Sequence, residues 1–257
     1  MNTENKRPTV VAGNWKMNLL PDQVQELMLN IIPSVRPQSM VIIAAPSIYL
    51  QSLHEDFGES VFLAAQNCSD KDSGAFTGEI SAAMLQAIGI EFCLVGHSER
   101  RSLYNETDDV VRWKVDACLK NQVNPIFCCG ETLDERKSAQ HFHIVQQQIE
   151  AALFHLDLDQ ILKVVIAYEP VWAIGTGVTA TSSEAQEMHA HVRRVIEEKF
   201  GPEVSESILI LYGGSVNAGN CAELFAQTDV DGGLVGGASL KADEFKVIMS
   251  QATAIPS

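Results

Sequence analysis

The sequence predicts an α/β protein with one domain, a closed parallel barrel of eight strands surrounded by helices, the (β/α)8 arrangement. Short apolar runs alternate with segments of helical periodicity eight times along the chain. No change of composition and no Pro/Ser-rich linker separates the eight units. A chain of 257 residues also has the size of such a barrel. We therefore expect residues 1–257 to form a single domain.

Eight apolar runs have the length and composition of buried parallel strands. They occupy residues 9–15, 40–45, 61–65, 92–95, 124–129, 163–168, 208–212 and 233–235. In a parallel barrel the C-terminal ends of all strands lie on one face. Polar residues that follow the strands are therefore expected to converge in space.

Each predicted strand is followed by a segment with helical spacing of apolar residues. These segments occupy residues 22–31, 48–53, 81–88, 108–122, 138–155, 181–200, 220–225 and 243–252. Thr181 and Glu184 have the spacing of a capping box, which marks the start of the sixth of these helices. Gly201 and Pro202 mark its end.

Composition restricts the possible partners and the compartment. The formal net charge of −15 argues against nucleic acid and anionic membranes as partners. The polar N-terminal residues and the lack of a long apolar run predict neither a signal segment nor a membrane span. The six cysteines contain no CxxC pair and lie mostly in apolar stretches, which indicates a reducing compartment. We therefore expect a cytoplasmic protein.

Polar and glycine-rich positions recur directly after the predicted strands. They are Asn14 and Lys16, His97 and Glu99, Glu169, the turn Gly213-Gly214-Ser215, and the turn Gly236-Gly237-Ala238-Ser239. Each of them alone is compatible with an ordinary surface position or a tight turn. Together they predict one pocket that contains a cation, an imidazole, a carboxylate and two turns whose backbone amides suit a phosphate.

Glu169 ends the sixth strand and is followed at once by a proline that favours an extended backbone. The next residues, 171–177, combine an apolar body with a Gly-Thr-Gly tip and suit a lid that excludes water. Desolvation makes a carboxylate more basic, and a neutral His97 at the start of a helix can donate to a carbonyl oxygen. This chemistry predicts proton abstraction beside the carbonyl of a small phosphorylated sugar, without a cofactor or metal.

Six motifs, in order along nearly the whole chain, resemble those of the triosephosphate isomerase family, whose fold is the TIM barrel. They are Gly13-Asn14-Trp15-Lys16-Met17-Asn18, Gly74-Ala75-Phe76-Thr77-Gly78-Glu79, Gly96-His97-Ser98-Glu99-Arg100-Arg101, Ala167-Tyr168-Glu169-Pro170-Val171-Trp172-Ala173-Ile174-Gly175-Thr176-Gly177, Tyr212-Gly213-Gly214-Ser215-Val216 and Leu234-Val235-Gly236-Gly237-Ala238-Ser239-Leu240. The resemblance implies interconversion of dihydroxyacetone phosphate and D-glyceraldehyde 3-phosphate in glycolysis and gluconeogenesis.

The resemblance also implies roles for individual residues. Glu169 matches the catalytic base and His97 the electrophile, while Lys16 and Asn14 match residues that stabilise charge and bind substrate. Glu99 matches a supporting acid. The positions that match phosphate-binding residues are Gly175, Ser215, Gly236 and Gly237.

The resemblance further implies a homodimer. The loop at residues 71–79 would insert into the neighbouring subunit and bring Thr77 beside its active site. Three positions depart from the family pattern: Val178 at the C-terminal hinge of the lid, the pair Gly232-Gly233, and Cys129, which we interpret as a core residue. We hypothesise that Val178 changes the rate of lid motion. Unchanged turnover and loop-exchange rates in Val178→Lys would refute that hypothesis.

Three alternatives were weighed against this interpretation. A metal-dependent aldolase would need ligands such as His141 with His143 or His189 with His191, but residues two apart on a helix point in different directions. A catalytically silent phosphate-binding or scaffolding protein is disfavoured because the four candidate catalytic residues are all present. An enzyme for a different sugar phosphate would need a longer or altered lid.

Overall fold

Eight parallel strands close into a barrel in the computed structural model, which describes residues 7–174 and 179–253. The strands are β1 (Val10–Asn14), β2 (Val41–Ala45), β3 (Phe62–Ala65), β4 (Phe92–Val95), β5 (Asn124–Cys129), β6 (Val165–Tyr168), β7 (Leu209–Tyr212) and β8 (Gly232–Val235). Each strand pairs with the next, and β8 closes the barrel against β1 in a register from Val10 with Gly232 to Gly13 with Val235. The predicted fold is confirmed.

The helices follow the strands on the outside of the barrel. They are α1 (Pro21–Ile31), α2 (Ser47–Phe57), α3 (Ala82–Ala87), α4 (Ser98–Leu103), α5 (Asp108–Lys120), α6 (Leu133–Lys137), α7 (His141–Leu153), α8 (Leu158–Ile161), α9 (Ser182–Phe200), α10 (Pro202–Ser207), α11 (Cys221–Phe225) and α12 (Ala242–Met249). Short 3-10 turns lie at Ile32–Ser34, Val171–Ala173 and Gly237–Leu240. Among the described residues, no helix is long and apolar enough to cross a membrane.

The long helix predicted within residues 138–155 is α7, His141–Leu153, and a separate short helix, α6, precedes it. Thr132 and Glu135 form a capping box that starts α6. Ala139 then adopts a positive φ of 57°, which a right-handed helix cannot contain. The backbone therefore breaks between α6 and α7, and the capping box was the sequence signal for α6.

Side chains along each strand alternate between two apolar layers. In β4, Phe92 and Leu94 belong to the cluster inside the barrel, whereas Cys93 and Val95 belong to the larger cluster between the barrel and its helices. Cys129 is also buried in that outer layer, as its interpretation as a core residue requires. Packing in both layers holds each strand in place and therefore positions the residues that follow it.

The glycine pair at the start of β8 permits close packing. Gly232 has a φ of +124°, and a Cβ there would overlap the Val10 carbonyl. A Cβ on Gly233 would lie 2.9 Å from the Phe225 ring. The small residues let β8 approach both β1 and α11, which explains this departure from the family pattern.

Candidate active site

A cavity of about 490 Å³ opens at the C-terminal ends of the strands. Seven of the predicted site residues line it: Asn14, Lys16, His97, Glu169, Ser215, Gly236 and Gly237. Glu99 and Ile174 of the lid also contribute to its wall. Gly175 and Val178 lie outside the described residues. The strand-end rule therefore gathers in space the residues that are far apart in sequence.

Glu169 and His97 form a buried carboxylate–imidazole pair. Glu169 follows β6, and its backbone N–H donates to the Cys129 carbonyl at 2.7 Å, which continues the barrel pairing by one residue. Its Oε1 lies 3.0 Å from His97 Nε2, and its Oε2 accepts a hydrogen bond of 2.8 Å from the Ser98 backbone. The two residues are only 2% and 6% exposed. The pair is therefore held in one geometry and shielded from water.

The hydrogen bonds of His97 determine which ring nitrogen carries the proton. Nδ1 accepts from the Glu99 backbone N–H at 3.2 Å, so a neutral ring has its proton on Nε2, facing Glu169. Burial lowers the pKa of His97, but the Glu169 carboxylate more than offsets this, and the net pKa is raised from its ordinary value. Lys16 opposes that rise. The neutral His97 expected from the sequence followed from its place at a helix start, and the sequence did not reveal this direct contact with the Glu169 carboxylate.

Lys16 is held by its neighbours in a conformation that favours glycine. Its φ is +52°. Its N–H donates to Asn14 Oδ1 at 3.0 Å, and its carbonyl accepts from Gln66 Nε2 at 2.9 Å. Its ammonium lies 2.5 Å from a Glu99 carboxylate oxygen. Two side chains thus hold the strained backbone, and a third contacts the ammonium at the cavity wall.

The glycine turns after β7 and β8 supply another wall of the cavity. A Cβ on Gly237 would meet no atom within 4 Å, and one on Gly236 would meet only Lys16 Cε, at 3.7 Å. The backbone here faces open space close to a cation. Ser215 Oγ donates to the Ala173 carbonyl at 2.8 Å, which links this wall to the start of the lid. The arrangement suits a phosphate held by backbone amides.

Glu131 supports the base of the lid and was not predicted from the sequence. Its fully buried carboxylate oxygen Oε1 accepts from Tyr168 Oη at 3.1 Å, Trp172 Nε1 at 2.8 Å and Arg136 Nη1 at 3.1 Å. The Arg136 guanidinium also lies 4.7 Å from the centre of the Trp172 ring. Glu131 lies just after β5, as Gln66 lies just after β3, so the strand-end rule contained the signal for both residues.

His189 and His191, one of the two pairs whose spacing resembled that of metal ligands, have other contacts. His189 Nδ1 lies 3.2 Å from the Asp229 carbonyl, and His191 Nε2 lies 3.1 Å from the Phe142 carbonyl. Burial lowers the pKa of His189 to about 4, so it is neutral at physiological pH. These contacts give both histidines of α9 a structural role.

The fold and the cavity define an α/β-barrel enzyme with a buried carboxylate–imidazole pair beside a lysine and two glycine-rich turns. A family model described as triosephosphate isomerase matches residues 9–252. The chain belongs to the triosephosphate isomerase family. Membership confirms the resemblance drawn from the motifs, and with it an isomerase that acts on triose phosphates in glycolysis.

Curated relatives agree over almost their full length. A triosephosphate isomerase of Porphyromonas gingivalis is 49% identical over 247 residues, which cover 95% of this chain and 98% of the relative. One of Flavobacterium psychrophilum is 46% identical over 248 residues, with coverage of 95% and 99%. One of Cytophaga hutchinsonii is 45% identical over 243 residues, with coverage of 93% and 97%. The range matched by the family model, residues 9–252, includes every strand of the barrel.

Proposed function

We propose that Glu169 is the base of this isomerase, and that dihydroxyacetone phosphate and D-glyceraldehyde 3-phosphate interconvert through an enediolate. One observation carries the proposal: a buried carboxylate and a buried imidazole, 3.0 Å apart, share a cavity with a lysine and two glycine-rich turns. A reaction that moves a proton between adjacent carbons needs a base, an electrophile for the carbonyl oxygen and an anchor for the phosphate. The cavity offers all three.

The anchor is assigned to Ser215, Gly236 and Gly237, together with Gly175 of the lid. With the phosphate there, the carbonyl end of the substrate lies toward His97, Lys16 and Asn14 on the other wall. Backbone amides are already held in place by the fold, so the protein loses little conformational entropy when they bind the phosphate. Asn14 is 5% exposed, and its Oδ1 accepts the Lys16 N–H, so its amide nitrogen is the atom that donates to the substrate.

The proton transfer follows from the chemistry of the pair. Glu169 takes a proton from the carbon beside the carbonyl, and the electrons of that C–H bond form the carbon–carbon double bond of the enediolate. The negative charge that develops on the carbonyl oxygen is stabilised by the Nε2–H of His97 and by the ammonium of Lys16. The hydroxyl proton on the neighbouring carbon is transferred to the charged oxygen, so the negative charge moves to the oxygen of that carbon. Glu169 then returns its proton to the neighbouring carbon, whose oxygen becomes the new carbonyl, and the carboxylate is regenerated.

Substrate changes the partner of His97. In the substrate complex, the carbonyl oxygen of the substrate accepts the hydrogen bond from His97 Nε2–H, which Glu169 accepts in the structure. The carboxylate then no longer raises the pKa of His97, while burial and Lys16 still lower it. The neutral imidazole that the mechanism needs is therefore favoured by the substrate complex itself.

Turnover in deuterated water tests this chemistry. A proton held on a carboxylate exchanges with solvent, so the product should carry deuterium at the carbon that receives it. His97→Gln should lower kcat by about 100-fold or more, the range of a positioned acid–base group, while His143→Gln, an exposed position on α7, should match wild type. Product without solvent deuterium, or a His97→Gln variant as fast as wild type, would contradict the proposal.

We also propose that the enzyme is a homodimer formed through the loop at residues 71–79, with Thr77 beside the partner's active site. Thr77 and its neighbour Phe76 are exposed. A second cavity, of about 620 Å³, adjoins the active site and shares Lys16 and His97 with it. Its wall includes Met17 and Leu103, which are 95% and 72% exposed. Exposed apolar side chains around a cavity support an interface there.

Sedimentation tests the dimer. Thr77→Arg should shift the chain from dimer to monomer at micromolar concentration and lower its activity, because the loop and the site then lack their partner. Leu158→Arg, at an exposed apolar position on α8, is the matched control and should remain dimeric. A monomeric wild type would refute the proposed assembly.

We propose a cytoplasmic location, which the cysteines support. All six are free and buried. Free thiols are maintained in reducing compartments. Recovery of the native enzyme in the cytoplasmic fraction of its own cells would agree with this location, and its recovery outside the cytoplasm would contradict it.

A further inference from the structure

Three buried thiols from different parts of the fold meet outside the active site. Cys68 follows β3, Cys93 lies on the outer face of β4, and Cys118 lies on α5. Their sulfur atoms are all within 4.8 Å of one another, and the Cys68 and Cys118 sulfurs are 3.5 Å apart. Each of these residues is at most 1% exposed. The cluster takes no part in the proposed isomerase chemistry.

A buried cation lies next to the thiols. Lys114 precedes Cys118 by one helical turn, is 5% exposed, and donates to Asn67 at 2.7 Å and to Glu106 at 2.5 Å. Glu106 also accepts from Arg100 at 2.5 Å. The carboxylate therefore has two cationic partners, and these three side chains carry a net charge of plus one.

The surroundings favour thiolate at one member of the cluster. Hydrogen bonding with the Cys118 and Cys93 thiols lowers the pKa of Cys68 well below its ordinary value, whereas hydrogen bonding within the cluster and burial raise the pKa of Cys93 and of Cys118. A thiolate is the form of cysteine that binds metals.

We propose that Cys68, Cys93 and Cys118 form a binding site for a soft, thiophilic divalent metal ion. Three thiolates and a divalent ion carry a net charge of minus one, which the excess positive charge of Lys114, Arg100 and Glu106 neutralises. A monovalent ion would leave a buried negative charge and a trivalent ion a buried positive one, and both are costly.

The spacing of the sulfurs fits three-coordinate binding. Metal–sulfur bonds of about 2.3 Å place three sulfurs in a trigonal plane roughly 4.0 Å apart. This value falls between the 3.5 Å contact and the 4.8 Å limit of the cluster. In the part of the chain that the structure describes, no fourth cysteine, histidine or carboxylate joins the group. The site therefore suits an ion that accepts three sulfur ligands, for which Cd²⁺ is the probe.

Titration of the reduced, active enzyme with Cd²⁺ tests the site. The expected result is one tightly bound ion per chain, an ultraviolet thiolate-to-metal absorption band, and release of protons as the thiols ionise. Mg²⁺, which prefers oxygen ligands, should not compete. Because the cluster is buried, the protein is also refolded from denaturant with Cd²⁺ present and then freed of unbound ion.

Matched cysteine variants separate the cluster from other thiols. Cys118→Ala should weaken Cd²⁺ binding by more than about 100-fold, since losing a ligand exceeds the effect of losing an outer-shell contact. Cys221→Ala and Cys129→Ala remove buried thiols elsewhere and should bind like wild type. Isomerase activity of each variant confirms its fold. The proposal is overturned if wild type holds no Cd²⁺ after refolding, or if Cys118→Ala binds as tightly.

Discussion

Replacement of Lys16 by methionine isolates the contribution of the cavity's cation. Methionine keeps a Cβ at the same positive φ and fills similar space, so the backbone strain is unchanged and only the charge is lost. Two unit charges about 4 Å apart interact by roughly 4 kcal/mol at an effective dielectric constant of 20. The Lys16 side chain is 27% exposed, so solvent screening reduces this to about 2–4 kcal/mol.

This energy predicts a large kinetic effect. At about 1.36 kcal/mol per tenfold change, Lys16→Met should lower kcat/KM by roughly 30- to 1,000-fold. Added salt should lower kcat/KM of wild type more than that of the variant, because ions screen the lysine's attraction for the substrate. Initial rates with glyceraldehyde 3-phosphate at several ionic strengths measure both effects.

Lys163→Met provides the control for Lys16→Met. Lys163 is exposed, precedes β6 and lies outside the cavity, so kcat/KM should stay within about twofold of wild type. Glu99→Gln keeps the Lys16 ammonium but removes its charged partner, so it should lower kcat/KM by less than Lys16→Met does. If Lys16→Met stays within threefold of wild type, or if Lys163→Met is as damaging, the role assigned to the cation is wrong.

Other changes separate binding, packing and titration. Gly237→Ala should leave the free energy of unfolding within about 0.5 kcal/mol of wild type but raise KM roughly 5- to 100-fold. Gly233→Ala, whose Cβ would press on Phe225, should instead lose about 1–3 kcal/mol of stability and leave KM unchanged. The reverse pattern would contradict the proposed phosphate site. Glu131→Gln should cost about 1–3 kcal/mol in denaturant unfolding, because a fully buried carboxylate that accepts from Tyr168 and Trp172 loses its charge while Arg136 keeps only Glu184 as a charged partner among the described residues, and an unchanged stability would contradict this. The pKa of His189 is about 4 in the folded protein and about 6.5 in the unfolded chain, so folding is favoured most above pH 6.5, where the histidine is neutral in both states. The free energy of unfolding should therefore fall by about 3 kcal/mol as the pH drops from 6.5 toward 4, and His189→Gln should lack this pH dependence.

The positions of the site residues could be predicted because the barrel imposes a simple rule. Parallel strands end on one face, so Asn14, His97 and Glu169 had to converge once the strands were recognised. The same rule applies to Glu131 and Gln66, which also follow strands. Their contribution was missed because each acts through another residue, and such contacts depend on side-chain conformations that periodicity does not reveal.

Properties that depend on close contacts between distant parts of the chain could not be predicted from the sequence. The pKa of His97 depends on a 3.0 Å contact with a carboxylate from another strand. The thiol cluster needs β4, α5 and the segment after β3 to pack together, and no CxxC spacing marks it. The break before α7 comes from one residue, Ala139, in a left-handed conformation.

The assignment of Glu169 as the base is tested most directly by comparing isomerase turnover of wild type and Glu169→Gln at equal fold and oligomeric state. Glutamine keeps the size of the side chain and removes its basicity. The mechanism predicts fast turnover in wild type and a loss of roughly two to four orders of magnitude in the variant. A well-folded wild type with little activity, or a Glu169→Gln variant that retains most of the activity, would contradict the assignment.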